Sequence, residues 1–455
     1  MTSLTSPSPS SSPIRHPNVG SPRVMTRRGW WLVVLNVVLP GSAQVLAGNR
    51  RLGRFGLGST LLLIALAVVA GISYILWPAA VLTVFTNSIG LWIVALLLVF
   101  YAVLWLVLTL DTLRLVRLVR ARPKARPLIA GFAAVLMLVV CGSAGYGALV
   151  ATTASGFLAN VFAAGPSVPP VNGRYNIMLL GGDAGPGRDG MRPDSISVVS
   201  VDAKTGKAAI IGLPRNLVDF PFPKDSPLAS VYPDGYGAID GCEVDVCMLN
   251  SVYTEVELKS PEMYPNATKH ASEPGIEGMR DAAEGITGLP IQYYVLIDMQ
   301  GFADLIDALG GVDINVKKRL PIGGDEEFNN VDGWVEPGQQ HMNGFTALWY
   351  GRARHGTSDY DRMARQRVLQ EAILKQFNPT NVLVKFQGVA KAGQQVVKTD
   401  IPQSMLGYFV SLASKTKSQK ITTVELTPAN DVDPENPDYE QIRHLVKAGI
   451  ATPKK

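Results

Sequence analysis

The chain has 455 residues, 47% of them hydrophobic, three cysteines and a net charge of +5, enough for more than one domain. From Met1 to Thr152 there are 13 Lys/Arg and one acid, Asp111, a net +12, so the remainder carries −7. That division argues against a nucleic-acid-binding body and for a basic membrane-proximal half followed by an acidic soluble half whose anion sites must be local.

Met1–Arg28 is rich in Ser, Pro and Thr with few large apolar residues before Val24, which predicts a disordered basic tail. Phe55–Trp77, Phe85–Leu110 and Leu128–Ala151 are each long enough to cross a hydrocarbon core, which takes about 20 residues. Trp30–Gly48 is interrupted at Pro40-Gly41 and basic on both flanks, with Arg27 and Arg28 before it and Arg50, Arg51 and Arg54 after it. A full span cannot place both flanks on one side, so this segment predicts a re-entrant or interfacial hairpin, a fourth span being the alternative. Arg114, Arg117, Arg120, Arg122, Lys124 and Arg126 lie between the second and third spans. They read as topology determinants in preference to a lipid-headgroup site, and put the N-terminus in the cytoplasm and everything after Ala151 outside. Cys141, inside an apolar run, reads as a small hydrophobe.

Ser155–Val171, with Gly165-Pro166 and Pro169-Pro170, predicts a linker. Tyr175–Leu180, Ser195–Val201 and Ala208–Leu213 are strand-length apolar runs bounded by turn residues and predict a three-strand meander. Strands of a meander alternate in direction, so Asp183, Asp194 and Arg215 fall on one edge, and the Gly-rich loop between the first two strands adds Arg188 and Arg192. Two carboxylates suit a hard cation such as Mg²⁺, with Mn²⁺ the alternative, and planar guanidinium groups match phosphate oxygens. The set therefore suits a metal-bound diphosphate; ordinary turns and surface ion pairs are the competing reading.

Cys242 and Cys247 in GCEVDVC favour a small disulfide loop over a zinc site, which lacks two further ligands. Residues 291–298 predict a strand, 299–311 a helix closed by Gly310-Gly311, and 312–316 another strand. Strand, helix and strand after a meander indicate an α/β fold, an α-β-α layered domain with a mixed central sheet. Asp359 predicts the N-cap of a helix running to about Phe377 and stopped by Asn378-Pro379. Arg362, Arg365 and Gln366 share one face near that helix start, and Arg352 and Arg354 point the same way as each other if their segment is extended. A solvated basic face paired with Asp359 and Asp361 is the alternative. Thr399-Asp400 predict the cap of a helix over 402–414, 420–426 an edge strand and 438–448 a last helix.

These readings divide the chain into a tail (1–28), an all-α membrane domain of three spans plus a re-entrant or fourth segment (29–152), a linker (153–172) and an extracytoplasmic α/β domain (173–450). The stretches NIMLLGGDAG, RPDSISVVSV, GLPRN, YYVLIDMQGFADLIDALGGVDINV and YGRARHGTSDYDRMARQR resemble, in order, the LytR-CpsA-Psr family of cell-wall glycopolymer ligases. The resemblance implies a phosphotransferase that moves a glycopolymer from a polyprenyl-diphosphate carrier to peptidoglycan. It implies Asp183 and Asp194 as ligands of Mg²⁺, and Arg192, Arg215, Arg352, Arg354, Arg362 and Arg365 as a clamp on the diphosphate, with Gln366 orienting Arg or phosphate. It also implies an apolar tunnel for the prenyl chain, near Leu305, Ile306 and Leu309. Pro214-Arg215-Asn216 departs from the family's Pro-Arg-Asp, and Ala364 stands where Glu is common before the Arg-Gln pair. A non-catalytic wall-polymer binder and a diphosphatase are the alternative functions.

Overall fold

The computed structural model of the chain describes residues 14–15, 17–77, 81, 84, 87–183, 191–239, 241–376 and 397–451. The chain divides into two compact units, one of Met1–Val81 and Ile89–Thr153 and one of Leu82–Ser88 and Ala154–Lys455.

The first unit is helical: α1 (Pro22–Val38), α2 (Ser42–Ala47), α3 (Arg50–Leu76), α4 (Ser88–Val116) and α5 (Ala125–Val161). Among the described residues three helices are long and apolar enough to cross a membrane, Arg50–Leu76, Ser88–Arg120 and Ala125–Val161. The segment Trp30–Gly48 is not one of them. It is two helices broken at Leu39–Gly41, where Gly41 takes φ 97°. A Cβ there would lie 2.4 Å from Leu57 N and 2.7 Å from Gly53 O, so only glycine lets the break press onto α3. Polar side chains in this unit are tied across helices, as an apolar solvent requires: Gln44 donates to Leu108 O (2.8 Å) and Thr112 Oγ1 (2.9 Å), and Asn36 to Thr109 Oγ1 (3.2 Å). Two expectations change. The tail is helical from Pro22, a residue whose fixed φ suits a first turn. The last helix continues to Val161, ten residues beyond Ala151; from Ala154 on it belongs to the second unit, where Phe157, Leu158 and Val161 are buried and Gln403 Nε2 donates to Leu158 O at 3.0 Å. Cys141 is free and half-buried.

The second unit is built on a six-stranded mixed sheet in the order β10-β3-β2-β1-β4-β9. The meander is present as β1 (Arg174–Asp183), β2 (Arg192–Asp202) and β3 (Ala208–Leu213). β4 (Tyr293–Asp298) runs parallel to β1 and β10 (Thr422–Glu425) parallel to β3, while β9 (Val397–Thr399) is antiparallel to β4. On one face Met178, Leu180, Ile196 and Val198 pack with α6 (Val252–Lys259), α7 (Pro274–Thr287) and α12 (Tyr439–Ile450). On the other, Tyr175, Val199, Val201 and Ile210 pack with α10 (Asp359–Gln376) and α11 (Gln403–Lys417). The alternation along β2 dictates this division, since successive side chains leave opposite faces, and the result is the α-β-α layering read from the sequence.

Helix α8 (Met299–Leu309) follows β4, capped by Asp298, which accepts from Gly301 N at 2.7 Å, and closed by Gly310 at φ 100°. The next strand, β5 (Val312–Val316), does form, but it pairs with β8 (Gly338–Met342) in a separate ribbon; β6 (Leu320–Gly323) and β7 (Val331–Val335) make a second. The burial pattern of β5 alternates, with Asp313 and Asn315 exposed, so it cannot sit in a sheet covered on both faces. β10 is an edge strand, as predicted. The cap of α11 is Pro402 rather than Thr399-Asp400; Asp400 instead accepts from Tyr294 N at 2.8 Å and pairs with Arg280 at 2.6 Å. Phe377 and the stop signal at Asn378-Pro379 lie outside the described residues.

Candidate active site

The site is built where the meander breaks its own register. Gly181 pairs with Ser195 and Gly182 with Pro193, so Asp194 is the extra residue of a β-bulge. By strict alternation Asp194 would share the face of Ile196 and Val198. The bulge removes it from the alternation and re-aims its carboxylate toward α10, on the opposite face.

Three guanidinium groups surround it. Arg215 Nη1 donates to Asp194 Oδ1 at 2.6 Å, Arg354 Nη2 to Oδ2 at 3.0 Å, and Arg362 Nη1 stands 3.9 Å from Oδ1. Arg215 follows β3 immediately after Pro214, and its carbonyl accepts from Asn250 N at 3.0 Å, which fixes the backbone beneath the side chain. Arg362 is buried and also pairs with Asp359 at 2.9 Å; Asp359 stands 3.7 Å from Arg215. Two carboxylates against three guanidinium groups leave an excess of positive charge. Burial draws the Arg362 guanidinium below its ordinary value, with Asp359 and Asp194 opposing and Arg354 and Arg215 adding to the fall. Its ordinary value is so high that it remains a cation. Arg362 Nε is buried with no hydrogen-bond partner among the described residues.

Arg354 sits on a short arm between α9 (Gly344–Arg352) and α10. Arg365 holds that arm from below. Its guanidinium donates to Tyr350 O at 2.9 Å, to Ala353 O and to Thr357 Oγ1 at 3.3 Å, and Gln366 Nε2 donates to Gly351 O at 3.2 Å. The expected shared face is therefore divided: Arg362 faces Asp194, while Arg365 and Gln366 position the chain that carries Arg354. Arg352 ends a helix, so the extended segment expected for Arg352 and Arg354 is absent; its guanidinium lies 5.4 Å from the Trp349 ring. Ser358, not Asp359, makes the helix cap: Ser358 Oγ accepts from Asp361 N at 3.0 Å and Asp361 Oδ2 from Ser358 N at 3.1 Å. Asp359 is freed to act as a counter-charge.

Asp183 ends β1 opposite the exposed Arg192, on the same sheet edge as Asp194, as the meander predicted. Arg188 lies outside the described residues. Among the described residues no group of three or more His, Cys, Asp or Glu is placed to hold a metal. A Mg²⁺ ion that keeps its water and a phosphate needs only one or two carboxylates. Each Asp194 oxygen accepts a single hydrogen bond from the described residues, at 2.6 and 3.0 Å, which leaves a lone pair apiece, so this donor set fits such an ion. Leu305 and Leu309 are half-buried, and Ile306 is fully buried in the small core between α8 and the β5–β8 ribbon, which makes it a packing residue. Cys242 and Cys247 are disulfide-bonded, their Cα atoms 5.6 Å apart.

One ion pair, between the buried Arg367 and the half-buried Glu425, has no counterpart among the expected site residues. Arg367 crosses Gly212 to reach Glu425 of β10; a Cβ on Gly212 would stand 1.8 Å from Arg367 Nη1. The absence of a side chain inside β3 was the sequence signal for that close approach.

A model of the LytR_cpsA_psr family matches residues 159–448. The chain belongs to the LytR_cpsA_psr family. Family relatives include a polyisoprenyl-teichoic acid–peptidoglycan teichoic acid transferase, TagU, of Bacillus mycoides, 26% identical over 51% of this chain and 62% of that protein. Biofilm regulatory protein A of Streptococcus mutans is 27% identical over 53% of this chain and 54% of its own length. The chain thus spans less than two thirds of each of these relatives. The crystal structure of TagV of B. subtilis is similar at TM-score 0.42 and 22% identity, over 60% of this chain and 95% of that one.

Proposed function

We propose that this chain is a membrane-anchored phosphotransferase that moves a cell-wall glycopolymer from a polyprenyl-diphosphate carrier to peptidoglycan. The observation that carries the reading is the bulge residue Asp194 ringed by Arg215, Arg354 and Arg362. Mere anion binding does not call for a carboxylate at the centre of a cationic cluster, whereas a site that also takes a cation does. The name of the TagU relative supports the same class of substrate.

In the reaction a sugar hydroxyl of peptidoglycan forms a P–O bond to the glycan-side phosphorus, the phosphoanhydride bond breaks, polyprenyl monophosphate leaves and the hydroxyl proton passes to a base. No residue is assigned as that base: Asp183, the first candidate, would hold the metal, and a metal-bound carboxylate is a poor base at neutral pH. Arg215, Arg354 and Arg362 would stabilise charge on the transferring phosphate and leaving oxygen, the main demand of phosphoryl transfer, with Arg192 and Arg352 at the rim. Asp183 and Asp194 would hold Mg²⁺ or Mn²⁺, which when bound would neutralise charge on the diphosphate. Arg365 and Gln366 act through the Arg354 arm, and Leu305 and Leu309 offer apolar surface to the prenyl chain. The basic loops at 50–54 and 114–126 support a cytoplasmic N-terminus and an extracytoplasmic catalytic domain.

The test uses the full chain in lipid discs with a polyprenyl-diphosphate-linked glycan, Mg²⁺ and peptidoglycan fragments. Glycan joined to peptidoglycan with release of polyprenyl monophosphate is the expected outcome. Free glycan phosphate would make it a diphosphatase. Unchanged lipid would favour a regulatory binder, the reading toward which the name of the S. mutans relative points.

A further inference from the structure

The first unit contains a cavity of about 540 Å³ lined by Arg23, Thr26, Arg27, Trp30 and Trp31 of α1 and by Arg122. We propose that it binds the phosphate headgroup of an anionic glycerophospholipid. Residues 23, 27, 30 and 34 recur at helical spacing, so guanidinium groups stand at one end of a stripe and indole and Val34 at the other. Trp31 and Val34 are 52% and 40% exposed, and amphipathic rings below cations are what the headgroup level of a bilayer selects.

Arg122 is held in place and is not a loose loop residue. Its backbone N–H donates to Thr26 Oγ1 at 2.9 Å, and Arg126 braces the turn beneath it through Ala121 O (3.0 Å) and Val119 O (2.8 Å). The neighbouring Arg28 is structural, being buried and bonded to Ile14 O and Leu115 O, each at 2.7 Å. The helix thus separates this arginine from those that face the cavity. Asp111 is the only acid before Asp183, and among the described residues Arg23, Arg27 and Arg122 have no ion pair, so their charge is left for a ligand. Three planar forks match phosphate oxygens, and the volume lies in the range of small-molecule sites. The indole and valine wall selects a lipid over free phosphate. The site uses Arg122 but not the regularly spaced Arg114, Arg117 and Arg120, which keep their topological role.

The proposal rests on membrane anchoring and not on the transfer reaction, so its failure would leave the enzymatic reading intact. The full chain is reconstituted in phosphatidylcholine discs containing phosphatidylglycerol, and retained lipid is measured by native mass spectrometry after extraction. The wild type is expected to retain phosphatidylglycerol, and an Arg23→Gln/Arg27→Gln/Arg122→Gln variant to hold it at least about tenfold more weakly. An Arg50→Gln/Arg51→Gln/Arg54→Gln variant, with the same loss of charge elsewhere, is expected to retain it. Should the first variant not fold, the corresponding triple Lys variant, which keeps the charge, is expected to retain the lipid. Equal loss in both Gln variants, displacement by inorganic phosphate alone, or preference for polyprenyl monophosphate would overturn the assignment.

Discussion

Asp194 Oδ1 and Arg215 Nη1 lie 2.6 Å apart, joining the bulge of β2 to the residue just past β3. The pair is short because two adjacent strands end together at one sheet edge, and only the bulge turns the carboxylate toward the arginine.

Asp194→Asn keeps the shape of the side chain and removes its charge, while Arg354→Ala removes one donor from the ring. Each is expected to lower glycan transfer by about 10²-fold or more, with the thermal transition close to wild type because both side chains are part-exposed. Transfer at wild-type rates in either variant would remove the cluster from the mechanism.

Chelation is expected to abolish transfer, and Mg²⁺ or Mn²⁺ to restore it. The fold should be indifferent, since the Asp194 carboxylate is part-exposed. Undiminished turnover in excess chelator would exclude a divalent cation from the site.

The Arg367–Glu425 pair fixes α10 to the edge of the sheet. Removing one partner strands the other beside β3, so Arg367→Met is expected to destabilise the chain by about 3 kcal/mol in denaturant unfolding. Adding Glu425→Leu should recover most of the loss. A double variant as unstable as the single one would mean that the effect is packing over Gly212 and not charge.

Burial raises the Glu284 carboxyl from its ordinary value of 4.5 to about 7, with Asp281 adding to the rise while the Ile291 N–H and Arg280 oppose it. The folded state then holds a proton that the unfolded chain has released, so stability is greatest below pH 4.5 for this group and falls as pH rises toward 7. Glu284→Gln is expected to flatten that fall, by about 1–3 kcal/mol across the interval. An unchanged pH profile of unfolding would show that Glu284 does not titrate there.

The Cys242–Cys247 bridge closes a short loop just before Asn250, and neither cysteine is one of the charged groups around Asp194. Its removal in Cys242→Ser/Cys247→Ser is expected to lower stability by about 2 kcal/mol and leave transfer unchanged. Loss of transfer at equal foldedness would give the loop a part in the reaction.

The sequence by itself determined the elements and much of the site's membership. Strand-length apolar runs between Gly, Pro and Asp marked the meander, long apolar runs marked the three membrane-length helices, and strand direction placed Asp183, Asp194 and Arg215 at one edge, because these signals are local. Which arginine does what was decided only by the tertiary structure. Arg362, Arg365 and Arg367 lie within two turns of one helix, yet one meets Asp194, one braces the Arg354 arm and one crosses Gly212 to Glu425. Each role depends on which distant strand or loop lies against that side of the helix. A one-residue bulge decided the direction of Asp194, and the helical twist of residues 344–352 decided that Arg352 and Arg354 diverge. Spacing along a chain gives the face from which a charge departs; only packing supplies the partner at which it arrives.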